Sequence, residues 1–146
     1  SFFMFFVFHV KHYFCYIYIM TENFDVGMFG EKISCDYLRS HGYKVLERNV
    51  RFPFGEIDIV ARHKNKTLVF VEVKTMIYSF SVNSLKPEDQ MTIAKQKKFK
   101  RAVLAYVASH QNLVRDDKGF QLDVLAIDLF PDERNEVRHY ENAVGD

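Results

Sequence analysis

The segment 55–75, GEIDIVARHKNKTLVFVEVKT, constrains the fold more than any other part of the chain. It holds two runs of strand-forming residues, 55–62 and 67–75, separated by the short sequence HKNK. Within that short sequence, Asn65 tolerates the left-handed backbone conformation that tight hairpin loops need. The segment therefore predicts an antiparallel hairpin.

Four charged residues interrupt the apolar pattern of this hairpin. A turn centred on Asn65 puts Asp58 opposite Glu72 and Glu56 opposite Lys74. Because side chains alternate across a strand, all four then share one face. That face continues toward the turn as Val60, Leu68 and Phe70. The opposite face carries Ile57, Ile59, Val71 and Val73. A slip of one residue would send the charges of one strand to the opposite face.

Two carboxylates directly opposite each other repel and raise the pKa of at least one of them, unless a cation lies between them. Asp58, Glu72 and the backbone carbonyl of Val73 offer the oxygen ligands that Mg²⁺ prefers, with Mn²⁺ as a substitute. Lys74 would lie beside a metal-bound water and orient it. The alternative is a buried ion-pair network, such as Glu56 with Lys74, which leaves Asp58 and Glu72 unneutralised.

Composition indicates one domain. The chain has 146 residues, of which 48% are hydrophobic and 27% charged, enough for a single core. With a net charge of +1, any basic surface must be local. Cys15 and Cys35 show no metal-ligand spacing and no disulfide framework, so we expect a reducing, cytoplasmic setting.

Residues 1–19 differ from the rest of the chain. They lack the basic start and the cleavage site of a signal peptide, and His9, Lys11 and His12 leave apolar runs shorter than the ~20 residues of a membrane helix. Met20 is typical of a natural start. We therefore predict a non-native or disordered extension over 1–19, no membrane anchor, and a single domain over 20–146.

The flanking segments predict two helices and three further strands. The first helix spans 29–41, with the apolar stripe Phe29, Ile33, Tyr37, Leu38 and His41, and Gly42 ends it in the left-handed conformation. Strands are expected at 43–52 and 120–130, and an edge strand near 136–143. Asp123 is expected to serve structure by pairing with a cation of the second helix.

The second helix is expected to begin at Pro87 and to carry a basic surface. Its buried stripe is Phe99, Ala102, Val103, Tyr106 and Val107. Its cations are Lys95, Lys97, Lys98, Lys100 and Arg101. Such a run is usually a solvated face, but beside a metal site it favours contacts with phosphates. The preceding loop, 76–90, has the length of a functional loop, and we interpret it as a substrate-gripping flap.

Five motifs in order resemble one family: GEKISCDYLRSHGYKVLERNVR, GEIDIVA, FVEVKT, KPEDQMTIAKQKKFKRAVLAYV and FQLDVLAI. They are similar to the small bacterial proteins typified by YraN, described as Holliday junction resolvase-like predicted endonucleases of the PD-(D/E)xK superfamily. The resemblance spans residues 30–127. It implies an α/β fold with a restriction-endonuclease-like core of helix, three antiparallel strands, helix and strand, in which helices flank a mixed sheet.

The resemblance also implies roles for individual residues. Asp58 and Glu72 would hold the metal, Lys74 would assist the attacking water, and Glu31 would bind the metal through water. Glu31 lies near the edge of its apolar stripe, so the sequence leaves open whether it faces the sheet or solvent. A Lys95–Gln96 pair is typical of the family, and one of the two is predicted to reach the active site.

These features predict a metal-dependent endonuclease acting on DNA. The candidate nucleic-acid-binding residues are Lys95, Lys97, Lys98, Arg101 and Arg51. Two alternatives are a protein that binds nucleic acid without cutting it and an interaction protein on a nuclease scaffold. Cleavage of a four-way junction would favour a homodimer, because two strands must be cut symmetrically.

Overall fold

A computed structural model describes residues 25–78, 87–130 and 132–144. The predicted extension over 1–19, Met20 and the central part of the predicted flap, 79–86, lie outside the described residues. Within the described part of the chain, no helix combines the length and the apolar character that crossing a membrane requires.

The fold is one five-stranded sheet with a helix on each face. Its helices are α1 (Val26–Ser40) and α2 (Ile93–Ser109). Its strands are β1 (Tyr43–Phe52), β2 (Gly55–His63), β3 (Leu68–Ile77), β4 (Phe120–Leu129) and β5 (Asn135–Tyr140). The strands follow chain order across the sheet, and only the β3–β4 pair is parallel, because α2 connects these two strands. The predicted mixed sheet, element order and edge strand are confirmed.

Helix α1 begins earlier than the apolar stripe suggested. Asp25 caps it, because its carboxylate accepts a hydrogen bond of 3.0 Å from the Met28 N–H. The chain leaves the helix at Gly42, whose φ of +85° is the predicted left-handed conformation. Phe29 was expected in the core but is 39% exposed, while Cys35 and Leu38 carry the buried face.

Helix α2 begins at Ile93, so the prediction of a start at Pro87 is wrong. The segment Pro87–Gln90 forms a separate 3₁₀ turn. Thr92 has an extended backbone, and its hydroxyl accepts a hydrogen bond of 3.3 Å from the Lys95 N–H. An extended, hydrogen-bonding residue of this kind is an N-cap, which sets the start of the helix.

Two hydrophobic cores lie on opposite faces of the sheet. The α2 core contains Ile57, Val60, Phe70, Phe99, Val103 and Tyr106, among others. The α1 core contains Cys35, Leu38, Ile59, Val71, Leu125 and Ile127, among others. The predicted alternation therefore holds for Ile59, Val60 and Phe70, but Ile57 packs in the α2 core instead of beside Ile59. This departure from the side-chain alternation occurs at Asp58, where β2 stops pairing with β3 and can twist away from it.

The hairpin turn uses Lys66 where Asn65 was expected. Lys66 adopts the left-handed conformation, with φ of +79°. Asn65 instead accepts a hydrogen bond of 3.0 Å from the Thr67 N–H through its side chain, a common use of asparagine in turns.

Asp123 serves structure, but not through a cation of α2. It is fully buried and accepts hydrogen bonds of 2.7 Å from His139 Nε2 and 3.0 Å from the Asn142 N–H. Because Asp123 alternates with Leu125 and Ile127 on the α1 side of β4, the cations of α2 lie across the sheet from it. It therefore ties β4 to β5 and the segment that follows.

Candidate active site

The candidate site lies where the β2–β3 ladder ends. The register predicted from a turn at Asn65 is confirmed from Arg62 opposite Leu68 to Ile59 opposite Val71, the last pair. The predicted pairs of Asp58 with Glu72 and of Glu56 with Lys74 are not formed, because the ladder ends before them. The residue of β2 that precedes this last pair is Asp58, and its Oδ2 accepts a hydrogen bond of 2.7 Å from the Val73 N–H. The Asp58 carboxylate thus takes the place of a main-chain acceptor. It satisfies the Val73 N–H of β3 at a point where the two strands no longer pair.

Glu72 and Lys74 follow on β3 and form an ion pair. Lys74 Nζ lies 2.6 Å from Glu72 Oε1, and the two side chains are 15% and 13% exposed. They share one face of the strand because they are two residues apart. Glu56 is exposed, and Lys74 pairs with Glu72 instead of with Glu56, the example given for the ion-pair alternative.

Asp58 carries the largest electrostatic perturbation of the site. Burial raises the pKa of its carboxyl most, and the negative charges of Glu72 and Glu31 add to this. The hydrogen bond from Val73 and the charge of Lys74 lower the pKa but do not compensate, so that it stands at about 7. The site therefore holds more negative charge than the protein neutralises, and a cation would relieve it.

Glu31 faces the sheet, which the sequence left open. Its side chain is 15% exposed, and Oε2 lies 3.5 Å from Arg48 Nη2 on β1. Gly30, the residue before Glu31, explains why Glu31 faces the sheet. A Cβ at Gly30 would lie only 1.8 Å from Thr75 Oγ1, so a glycine here lets the helix approach β3. Helix α1 therefore packs directly on β3 and brings Glu31 toward Asp58. Arg48 was not identified from the sequence.

The donor set fits a hard cation that keeps most of its water. Among the described residues, no three histidine, cysteine or acidic side chains converge into a metal cage. Asp58 and Glu72 offer two carboxylates, and Mg²⁺ is commonly bound through one or two carboxylates with the remaining positions taken by water and substrate. The backbone of Val73 lies beside Asp58, to which it donates its N–H.

A cavity of about 380 Å³ opens beside Glu72 and Lys74, between the β1–β2 turn, β3 and α2, and Asp58 is not among its lining residues. It is lined by Arg51, Phe52, Gly55, Glu56, Glu72, Lys74, Lys95, Lys98 and Phe99. Gly55 sets the wall next to α2, because a Cβ there would lie 2.7 Å from the Lys98 carbonyl oxygen. This close approach holds the helix and its cations against the hairpin.

The cavity receives some of the predicted binding residues and not others. Lys95, Lys98 and Arg51 line it. Lys97 is exposed on α2 outside the lining, and the Arg101 guanidinium lies 4.7 Å from the centre of the Phe54 ring. Of the Lys95–Gln96 pair, only Lys95 reaches the cavity, since Gln96 Nε2 donates to the Met91 carbonyl at 3.1 Å.

The aromatic residues of the β1–β2 turn were also missed by sequence reasoning. Phe52 lines the cavity, and its ring stacks on that of Phe54 with centres 5.6 Å apart and an angle of 12°. The signal was present in the sequence RFPFG, because turns between strands usually carry polar residues, whereas here one phenylalanine lies in the turn and another directly before it.

Comparison with known proteins gives one family. The model of the uncharacterised protein family UPF0102 matches residues 30–127. A UPF0102 protein of Syntrophotalea carbinolica is 39% identical over 122 residues, covering 84% of this chain and 93% of the relative. One of Thermodesulfovibrio yellowstonii is 38% identical over 119 residues, covering 82% and 95%. One of Clostridium botulinum is 40% identical over 107 residues, covering 73% and 82%. The chain therefore belongs to the UPF0102 family, the PD-(D/E)xK-like family typified by YraN.

Proposed function

We propose that this protein is a metal-dependent endonuclease that hydrolyses phosphodiester bonds of DNA. The observation that carries the proposal is the buried carboxyl of Asp58, whose pKa is raised by burial and by the charge of Glu72, beside the Glu72–Lys74 pair and near a cavity that presents cations. A structural ion-pair network would balance its charges, whereas here Glu72 is paired with Lys74 and Glu31 with Arg48, and the charge of ionised Asp58 is left over for a bound cation.

Asp58 and Glu72 would hold Mg²⁺, with Mn²⁺ as a substitute and the Val73 carbonyl as a further ligand. When bound, the ion would polarise the scissile phosphate and stabilise the departing oxygen. With Glu72 turned toward the ion, the ammonium group of Lys74 would orient the attacking water. The water oxygen would form a bond to phosphorus as the bond from phosphorus to the leaving oxygen breaks, the water giving one proton to solvent and the leaving oxygen taking one from it.

The other residues of the site hold the substrate or its surroundings. Arg51, Lys95 and Lys98 line the cavity and are placed to bind phosphates of the strand. Glu31 holds Arg48 and adds negative charge near the metal position. DNA, in the cytoplasm, is the proposed partner, and cutting both strands of a branched substrate would need two copies of the chain.

The test is cleavage of a labelled panel of single-stranded, duplex, flap and four-way-junction DNA with Mg²⁺, Mn²⁺ or chelator. We expect product only with metal, and loss of at least 100-fold in Glu72→Gln, a magnitude typical for one electrostatic group in a catalytic site. Glu136→Gln, at an exposed position of β5, is the matched control and should cleave as the wild type does.

Full activity in Glu72→Gln would refute the assignment of the metal site. Absence of product from the wild type, with salt-sensitive DNA binding that survives the substitution, would identify a nucleic-acid-binding protein that does not cut.

A further inference from the structure

Three stacked planar groups, one from α2 and two from the β1–β2 hairpin, end at the cavity. The Arg101 guanidinium lies 4.7 Å from the centre of the Phe54 ring, and the Phe54 ring stacks on Phe52 at 5.6 Å. Phe52 is the member of this Arg101–Phe54–Phe52 stack that lines the cavity. The stack thus runs from the surface of α2 to the wall of the candidate site.

The stack is held in place from two sides. Phe52 is half-buried and packs against the α2 core. The adjoining Gly55 lies against the Lys98 backbone so closely that a Cβ would approach its carbonyl oxygen to 2.7 Å. An aromatic ring that is fixed in this way loses little conformational freedom when a second planar group stacks on it.

Cations surround the end of the stack. Arg51 precedes Phe52 on β1, and Lys95 and Lys98 approach from α2, three residues apart on one helical face. An aromatic ring among cations in a groove is the combination by which proteins bind single-stranded nucleic acid, because rings stack on bases while cations pair with phosphates.

We propose that Phe52 is the stacking platform for one unpaired base of the DNA strand, close to the phosphate that is cut. This inference rests on the proposed function and narrows its substrate. A cavity of about 380 Å³ is in the range of small-ligand sites and admits a single base. A base within a duplex must first be flipped out of its stack. The favoured substrates are therefore single strands and branched DNA with unpaired nucleotides.

The test is binding without cleavage, measured by fluorescence anisotropy in chelator. The probe is a labelled single-stranded oligonucleotide, together with versions in which one nucleotide at a time is abasic. Because stacking of one base on an aromatic side chain changes affinity by roughly 5- to 150-fold, we expect one abasic position to weaken binding by roughly that factor. Phe52→Leu, which keeps apolar bulk, should remove this position dependence, and Phe52→Tyr should retain it.

The chain contains a matched control stack. The Arg134 guanidinium lies 5.2 Å from the centre of the Phe130 ring, and that ring stacks on Tyr78 at 4.9 Å, yet neither aromatic residue lines the cavity. Phe130→Leu should therefore leave the position dependence unchanged.

Equal affinity for all abasic probes, or the same position dependence in Phe52→Leu as in the wild type, would overturn the inference. Both outcomes test the stacking platform and leave the proposed nuclease activity to be decided by the cleavage assay. Position-dependent binding without cleavage would refute only the nuclease, and metal-dependent cleavage without position dependence would refute only the platform.

Discussion

Replacing Asp58 with asparagine should stabilise the metal-free protein at and above neutral pH. The amide oxygen of asparagine can still accept the hydrogen bond that Asp58 takes from Val73. The negative charge, which burial and the carboxylates of Glu72 and Glu31 make unfavourable, is removed. The substitution therefore keeps the hydrogen bond to Val73 and removes only the unfavourable free energy of the buried negative charge.

The size of the effect follows from the pKa. The pKa of Asp58 is about 7 in the folded protein, against an ordinary value of 3.8, so the folded state binds the proton more tightly than the unfolded state. Protonated Asp58 therefore stabilises the folded state. This stabilisation is fully present below about pH 4, declines as the pH rises and is lost above about pH 7. A shift of about three units corresponds to about 4 kcal/mol, the upper value expected for Asp58→Asn at pH 8.

The assay is thermal unfolding in chelator between pH 5 and pH 8. At about 4 °C per kcal/mol, the unfolding midpoint of Asp58→Asn should exceed that of the wild type by up to about 15 °C at pH 8, with a smaller difference at pH 5. Asp36→Asn, on the exposed surface of α1, is the control and should change the unfolding free energy by about 0.5 kcal/mol or less. An unfolding midpoint of Asp58→Asn equal to or below that of the wild type at pH 8 would refute the reasoning.

Two further substitutions test the packing that holds the site. Gly30→Ala should lower the free energy of unfolding by about 1–3 kcal/mol, because the new methyl group would clash with Thr75, whereas Gly27→Ala, in the exposed first turn of α1, should change it by less than about 1 kcal/mol, because its methyl group would meet only the side chain of Asp25, at 3.2 Å. Urea unfolding measures both, and equal effects would contradict the close approach of α1 to β3. His139→Ala should cost about 1–3 kcal/mol, because it removes one hydrogen bond to the buried carboxylate of Asp123 while those from Asn142 and Gln121 remain, and a change below about 0.5 kcal/mol would show that this contact contributes little.

Local patterns in the chain were sufficient to predict most of the fold. The alternation and turn chemistry of 55–75 gave the hairpin register, and Ile59 opposite Val71 confirms it. Gly42 was predicted as the end of the first helix because few other residues adopt a positive φ without strain. The acids and lysine of the candidate site were found because charged residues are rare on buried strands.

Of the predictions that failed, one did so because of a local cap and another because of a contact distant in the chain. The start of α2 depends on one hydroxyl–amide bond at Thr92 and not on the proline before it. Asp123 finds its partner on β5, because the face of β4 on which it lies is turned away from α2. The sequence left open whether Lys95 or Gln96 reaches the cavity, and the structure brings Lys95 there while the Gln96 side chain donates to the Met91 carbonyl.

By itself, therefore, the sequence determined the elements, their order and the residue types of the site, because these depend on periodicity and on backbone preferences within a few residues. Only the tertiary structure decided that the ladder ends at Asp58, that Glu31 turns inward and that Phe52 reaches the cavity. The physical reason is that burial and charge at these positions arise from neighbours distant in the chain, which no local pattern encodes.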